Sequence, residues 1–280
     1  MPVDDRSAES AAAAETFMRA HRDCAGCANY HGLWPYLRLA GITRSQVDLE
    51  VVQSLIRAGV ARGAHRILIA GAADALTTLA VLRALPSDVT TMLEVVDRCA
   101  TPLETIRRAL APGERRVTLR QANLLDDSQG GAVDIALAHG LLGFFSDEDQ
   151  VTLLQAIGRR FGAGSVLISS ERVDLEMVGD GDNVPRYAER MIRRLGDARV
   201  ALPVPESEFR AAMLQQGQDR LRTQGRFADE AAVVALLAKA GLAVRDMIDV
   251  GRGPIDAVDS MQRRLGRRVV FTASRAAVAA

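Results

Sequence analysis

The spacing of apolar residues changes along the 280-residue chain. Residues 8–62 read as helical: the start is Ala-rich, and from residue 46 apolar positions fall three and four apart, the spacing of one helix face. SAESAAAAETFMRAH (7–21) predicts a first helix, and a second segment surrounds two cysteines. QVDLEVVQSLIRAGVARG (46–63) predicts a third, opened by Thr43 with Gln46 as a capping box and closed at Gly59 and Gly63.

From residue 66 the pattern becomes short apolar runs separated by helical stretches. RILIAG (66–71), TTMLEVVD (90–97), RVTLRQAN (116–123), VDIALAHG (133–140) and GSVLISSE (164–171) read as five strands. Helices are expected at 76–85, from Thr101-Pro102-Leu103-Glu104 with Thr101 as cap, and from the Ser146 cap to about residue 161. This alternation predicts a parallel sheet with right-handed crossovers. A polar, basic stretch (172–226) follows, with helices expected around 185–195 and 206–222. The core pattern then resumes with a helix over 228–242 and strands at 243–250 and 267–275. No crossover helix joins those last strands, so they are expected to pair antiparallel.

Charge narrows the partners. Lys+Arg and Asp+Glu both number 35, so the net charge is zero and neither nucleic acid nor an anionic membrane is expected as a partner. No apolar run reaches the ~18 residues of a membrane helix, and the acidic, Ala-rich start is unlike a signal peptide. Three cysteines in so long a chain do not form a disulfide framework. The expectation is a cytoplasmic protein with reduced thiols and a small-molecule substrate, its oligomeric state left open.

The blocks RILIAGAADALTTLAVL, LEVVDRCATPLETIRRAL, VTLRQANLLDD, VDIALAHGLLGFF and GAGSVLISSERV, with the closing LLAKAGLAV and its strand pair, resemble the class I S-adenosylmethionine (SAM)-dependent methyltransferases. The resemblance covers about residues 63–175 and 226–275. It implies an α/β, Rossmann-like, doubly wound sheet of seven mostly parallel strands with an antiparallel last strand, and SAM as cofactor. It also implies three parts: an N-terminal helical cap (1–62), a SAM-binding domain (63–175 and 226–280), and a helical insertion (176–225) forming part of a substrate cap.

In the family a glycine-rich turn after the first strand passes close to the methionyl part of SAM. Gly71, Ala72, Ala73 and Asp74 occupy that turn here. Only the first family glycine is present: two later ones align with Ala73 and Ala75, and the acid usual within the strand aligns with Ile69. Alanine suits such a turn if its φ stays negative. Asp74 is then the expected partner of the cofactor's amino group. By the same resemblance Asp97 accepts both ribose hydroxyls, Arg98 lies beside the adenine, Asn123 meets the adenine amino group, and Leu124 is an adenine neighbour. His139 falls at the carboxyl end of the fourth strand, beside the sulfonium, as a candidate base.

Aromatic residues make up 4% of the chain, yet NYHGLWPYLRL (29–39) holds two of the three Tyr and the one Trp. Tyr30, Trp34 and Arg38 are therefore candidates for a lid that contacts substrate, with Tyr30 and His31 as candidate catalytic groups. Tyr187, Arg190, Met191 and Arg194 share a helix face in the insertion, with Arg186 beside it, and Tyr187, Arg190 and Met191 are further candidates for substrate binding.

Cys24-Ala25-Gly26-Cys27-Ala28-Asn29-Tyr30-His31, with His21 upstream, raises a metal or redox reading. On a straight helix Cys24 and His31 would stand ~10 Å apart along the axis, so all four side chains could ligate one zinc only after a kink at Gly26 or Gly32. The expectation is no metal, with the cysteines packing the cap; Cys99 is expected as a small buried apolar residue. The leading function is O-, N- or S-methyl transfer from SAM to a small molecule. The alternatives are non-methylating SAM chemistry, such as ring closure to azetidine-2-carboxylate with release of methylthioadenosine, and a non-catalytic SAM-binding module.

Overall fold

A computed structural model describes residues 5–24, 26–41, 46–86, 90–126, 130–173, 176–177, 183–223, 227–251, 262–264 and 267–276. Helices α1 (Asp5–Asp23), α2 (Ala28–Leu39) and α3 (Gln46–Ala61) precede the sheet. Then follow β1 (Arg66–Ala70), α4 (Leu76–Ala84), β2 (Met92–Asp97), α5 (Ala100–Ala109), β3 (Val117–Gln121), β4 (Val133–His139), a 3-10 turn (Leu142–Phe144), α6 (Asp147–Arg159) and β5 (Phe161–Val173). The remainder is β6 (Glu176–Met177), α7 (Asn183–Asp197), α8 (Glu206–Thr223), α9 (Glu230–Lys239), β7 (Leu242–Gly251), β8 (Gln262–Arg264) and β9 (Arg267–Arg275).

Seven strands form one sheet in the order β3-β2-β1-β4-β5-β9-β7. β1 to β5 run parallel, and β9 is antiparallel to both β5 and β7. The expected doubly wound sheet with an antiparallel strand is therefore present. β6 and β8 form a separate two-stranded pair that the apolar pattern did not signal.

β1 is apolar from Ile67 to Ala70 because both of its faces are covered. Ile67 and Ile69 of β1 face a core shared with Val52, Ile56 and Val60 of α3 and with Leu103 and Ile106 of α5. Leu68 and Ala70 face the opposite core, with Leu153, Leu154 and Ile157 of α6 and Val233, Leu236 and Leu237 of α9. Each such side chain, fully buried, contributes about 1.5–3 kcal/mol before entropy is counted. Ile69, where the family has an acid, is completely buried among hydrocarbons.

A third core joins distant parts of the chain. Phe17 of α1, Leu33, Tyr36 and Leu37 of α2, Tyr187 and Met191 of α7, and Phe209 and Met213 of α8 pack together. Helices α1 and α2 and the insertion thus share one apolar core, whereas α3, expected in the same N-terminal part, packs on the sheet.

Two predicted caps differ in outcome. Ser146 caps α6 as expected, its Oγ accepting from Asp149 N at 3.1 Å. The cap of α5 is Cys99 rather than Thr101. Pro102 still lies in the first turn, where its missing N–H has no helical acceptor to lose. Thr43 lies outside the described residues. No described helix is long and apolar enough to cross a membrane.

Candidate functional site

The strand order reverses direction between β1 and β4, which places a crevice at their carboxyl ends. Gly71 leaves β1 with φ +72°, and its N–H donates to Val96 O at 2.8 Å. The positive φ favours glycine, and an added Cβ would also stand 2.7 Å from Leu141 Cδ1 and have to displace that side chain. Among the described residues Arg199 is the one non-glycine residue with positive φ, so Ala72, Ala73 and Ala75 keep ordinary backbone geometry. That is the condition under which alanine replaces the family's later glycines.

Asp97, at the end of β2, is buried and accepts Ala72 N–H on Oδ2 at 2.8 Å and Cys99 N–H on Oδ1 at 2.7 Å. It ties the β1 turn to the β2–α5 loop, and each oxygen retains a second acceptor site. Burial raises its pKa above the ordinary value, against those two backbone bonds.

Asp74 is already engaged. Its Oδ1 accepts Leu76 N–H at 2.6 Å, and its Oδ2 accepts Trp34 Nε1–H at 2.7 Å and the Arg38 guanidinium. The expected lid residues Trp34 and Arg38 therefore grip the β1 turn through this carboxylate. Tyr30 packs between Trp34 and Phe144, with ring centroids 5.4 and 4.8 Å away, so α2 also covers the loop after β4.

Other expected residues are placed differently. Tyr187 and Met191, expected to meet substrate, are 1% and 0% exposed and pack in the core shared by α1, α2, α7 and α8. The face they share turns toward α1, α2 and α8, because only those helices cover its apolar side chains; Arg190 lies at its partly exposed border. Asn123 spends its amide on the local turn: Nδ2 donates to Asp126 at 2.7 Å and Oδ1 accepts Leu125 N–H at 3.3 Å. Leu124 is buried with the sheet core. The exposed Arg98 side chain engages Cys27 and Cys99. His31 is buried against thiols, its Nδ1 3.5 Å from Cys24 Sγ, which turns it away from a role as base.

His139 holds the expected edge position, with partners the sequence did not reveal. Its Nε2 lies 2.9 Å from Asp48 Oδ2, which also meets Ser170 Oγ at 2.6 Å and Arg268 Nη1 at 2.9 Å. Burial alone would raise the pKa of Asp48. The His139 hydrogen bond, the Arg268 charge and the Ser170 hydroxyl outweigh it and hold the carboxyl well below its usual range. An ionised Asp48 only accepts, so the ring meets it with Nε2–H, and Nδ1 is the ring nitrogen left for another partner. The available signal was a carboxylate in line with Val52 and Ile56 on the apolar stripe of α3.

Glu171 on β5 accepts Leu142 N–H at 3.0 Å inside the sheet. Burial raises its pKa from the ordinary 4.5 to about 7, against that bond and the Arg268 charge. The folded state therefore keeps a proton that the unfolded chain has released. Stability is full below the unfolded value and is lost as pH rises through about 7. Glu171→Gln is expected to flatten that decline and to gain on the order of 2–3 kcal/mol at about pH 8. Urea unfolding of both proteins at about pH 5 and pH 8 checks this; parallel pH profiles would refute it.

No protein-family model and no curated protein matches the chain. Solved structures do. The chain is similar to the Burkholderia thailandensis 1,6-didemethyltoxoflavin-N1-methyltransferase, whose structure holds 1,6-didemethyltoxoflavin and S-adenosylhomocysteine: identity is 16%, TM-score 0.53, with 81% of this chain and 77% of that one covered. It is also similar to the mitomycin 7-O-methyltransferase MmcR (18% identity, TM-score 0.49, 94% and 67% covered). A third likeness is to the pyocyanin biosynthetic protein PhzM (18%, 0.48, 80% and 55%), so the chain spans little more than half the length of that structure. The first comparison, with the strand order above, defines the architecture as the class I SAM-dependent methyltransferase fold.

Proposed function

We propose that the chain is a SAM-dependent methyltransferase acting on a small molecule. The observation that carries this is the position of the Asp97 carboxylate: at the end of β2, bonded to the turn that Gly71 opens, on the crevice edge of this fold. Asp97 suits two adjacent ribose hydroxyls, and the positive φ of Gly71 turns the backbone sharply at the end of β1, beside that carboxylate. Ala72 and Ala73 border the methionyl side, and Arg98, Asn123 and Leu124 the adenine side. Bound SAM would supply an electrophilic methyl group.

The chain's own residues orient the acceptor and manage its proton. Tyr30, Trp34 and Phe144 form an aromatic wall that excludes water from the crevice. Asp48 fixes the ring of His139, whose Nδ1 is suited to take a proton from a hydroxyl or ammonium acceptor.

Calorimetry with SAM and S-adenosylhomocysteine, followed by product analysis with SAM alone, tests the reading. Binding of both ligands, with no turnover until an acceptor is added, is the expected result. Methylthioadenosine formed from SAM alone would replace it with cyclisation or elimination. Absence of binding would reduce the chain to a module without SAM chemistry.

A further inference from the structure

The structure overturns the geometric reason for expecting no metal near the cysteines. α1 ends at Asp23 and α2 begins at Ala28, with Gly26 at φ +77° between them. Cys24, Cys27 and His31 therefore do not lie on one straight helix. Their side chains converge, and the fourth member is Cys99 from the β2–α5 loop, not His21. His21 is occupied elsewhere, with Nδ1 2.9 Å from Phe17 O and Nε2 3.0 Å from Asn29 Oδ1.

We propose that Cys24, Cys27, His31 and Cys99 form a tetrahedral Cys3His site for a thiophilic divalent cation, zinc above all, that clasps the cap to the loop carrying Asp97. One donor atom from each residue lies within 4.8 Å of every other. Zn–S bonds of ~2.3 Å and Zn–N bonds of ~2.0 Å set ligand–ligand edges of roughly 3.5–3.8 Å. The Cys24 Sγ to His31 Nδ1 separation of 3.5 Å matches such an edge. Cys27 Sγ and Cys99 Sγ stand 2.8 Å apart and would separate by about 1 Å around an ion. The Cys-x2-Cys spacing is common among zinc ligands.

Charge placement supports the site independently. Cys27 is the N-cap of α2 and Cys99 the N-cap of α5, and neither uses its side chain to cap. Two helix N-termini thus direct partial positive charge at the sulfurs, and Arg98 adds a full charge beside them. Binding replaces three thiol protons, which pass to solvent, and takes the imidazole neutral; no electrons move. The resulting three thiolates and one dication leave a single net negative charge for those groups to offset.

The test is metal analysis of the full chain, purified under reducing conditions without chelator or a histidine tag. About one zinc per chain is expected, falling at least fivefold in Cys27→Ser and Cys99→Ser and unchanged in His21→Ala. Wild-type protein loaded with Co2+ provides a second readout that does not depend on those variants folding: intense tetrahedral d–d bands with thiolate charge transfer are expected. Failure to take up stoichiometric zinc or cobalt would overturn the proposal, as would a Cys27–Cys99 disulfide in the protein purified this way. None of these readouts depends on SAM binding.

Discussion

Asp97→Ala is expected to abolish detectable SAM binding while the chain stays folded. Two ribose hydroxyls donating to one carboxylate are charge-assisted bonds of about 1.5–3 kcal/mol each, so affinity should fall at least about 100-fold. The same carboxylate holds Ala72 N–H and Cys99 N–H, and its loss also loosens the two loops that shape the crevice. Asp97→Asn keeps one acceptor oxygen and should fall between wild type and alanine. Calorimetry measures affinity, and far-ultraviolet circular dichroism with thermal unfolding verifies the fold. Unchanged affinity in the alanine variant would remove Asp97 from the cofactor site and with it the main support for the proposed function.

The second large effect belongs to stability. Asp48→Ala should cost about 3–5 kcal/mol, because it leaves Arg268 and His139 without their shared carboxylate in a largely desolvated place. For a chain of this size that corresponds to a fall in Tm of roughly 10 °C. His139→Ala leaves the Asp48 contacts to Arg268 and Ser170 in place and should cost about 1–2 kcal/mol. Calorimetric or urea unfolding of the two variants distinguishes them; equal losses would show that Asp48 does not organise the network. The depressed pKa of Asp48 implies stability that is present above the ordinary carboxylate range and is lost as pH falls.

Both residues illustrate how far sequence reasoning reached. Asp97 was singled out by the resemblance, and the structure puts it where that alignment implied, at the end of β2 and just before α5. The aromatic concentration in 29–39 marked a segment expected as a lid, and Trp34 and Arg38 of that segment bond to the turn after β1. Their contact is Asp74, which was expected to serve the cofactor instead. Tyr187 and Met191 show the converse limit. Helical spacing correctly placed them on one face, but spacing does not state what that face meets.

The cysteines make the same distinction within one site. Arithmetic on a straight helix set Cys24 and His31 ~10 Å apart along the axis, whereas their side chains stand 3.5 Å apart. What it lacked was a break at Gly26 and a ligand 72 residues beyond Cys27.

By itself the sequence determined the alternating strands and helices, the two-faced apolar core, the glycine after β1 and the acid after β2, because these depend on period and on near neighbours. Tertiary structure alone decided that Asp48 meets His139 across 91 residues, that the insertion shares a core with α1 and α2, and that Cys99 joins Cys27. Such contacts are set by strand order and helix docking. Those arise from how all the apolar faces are buried together, and no local window of the chain contains that information.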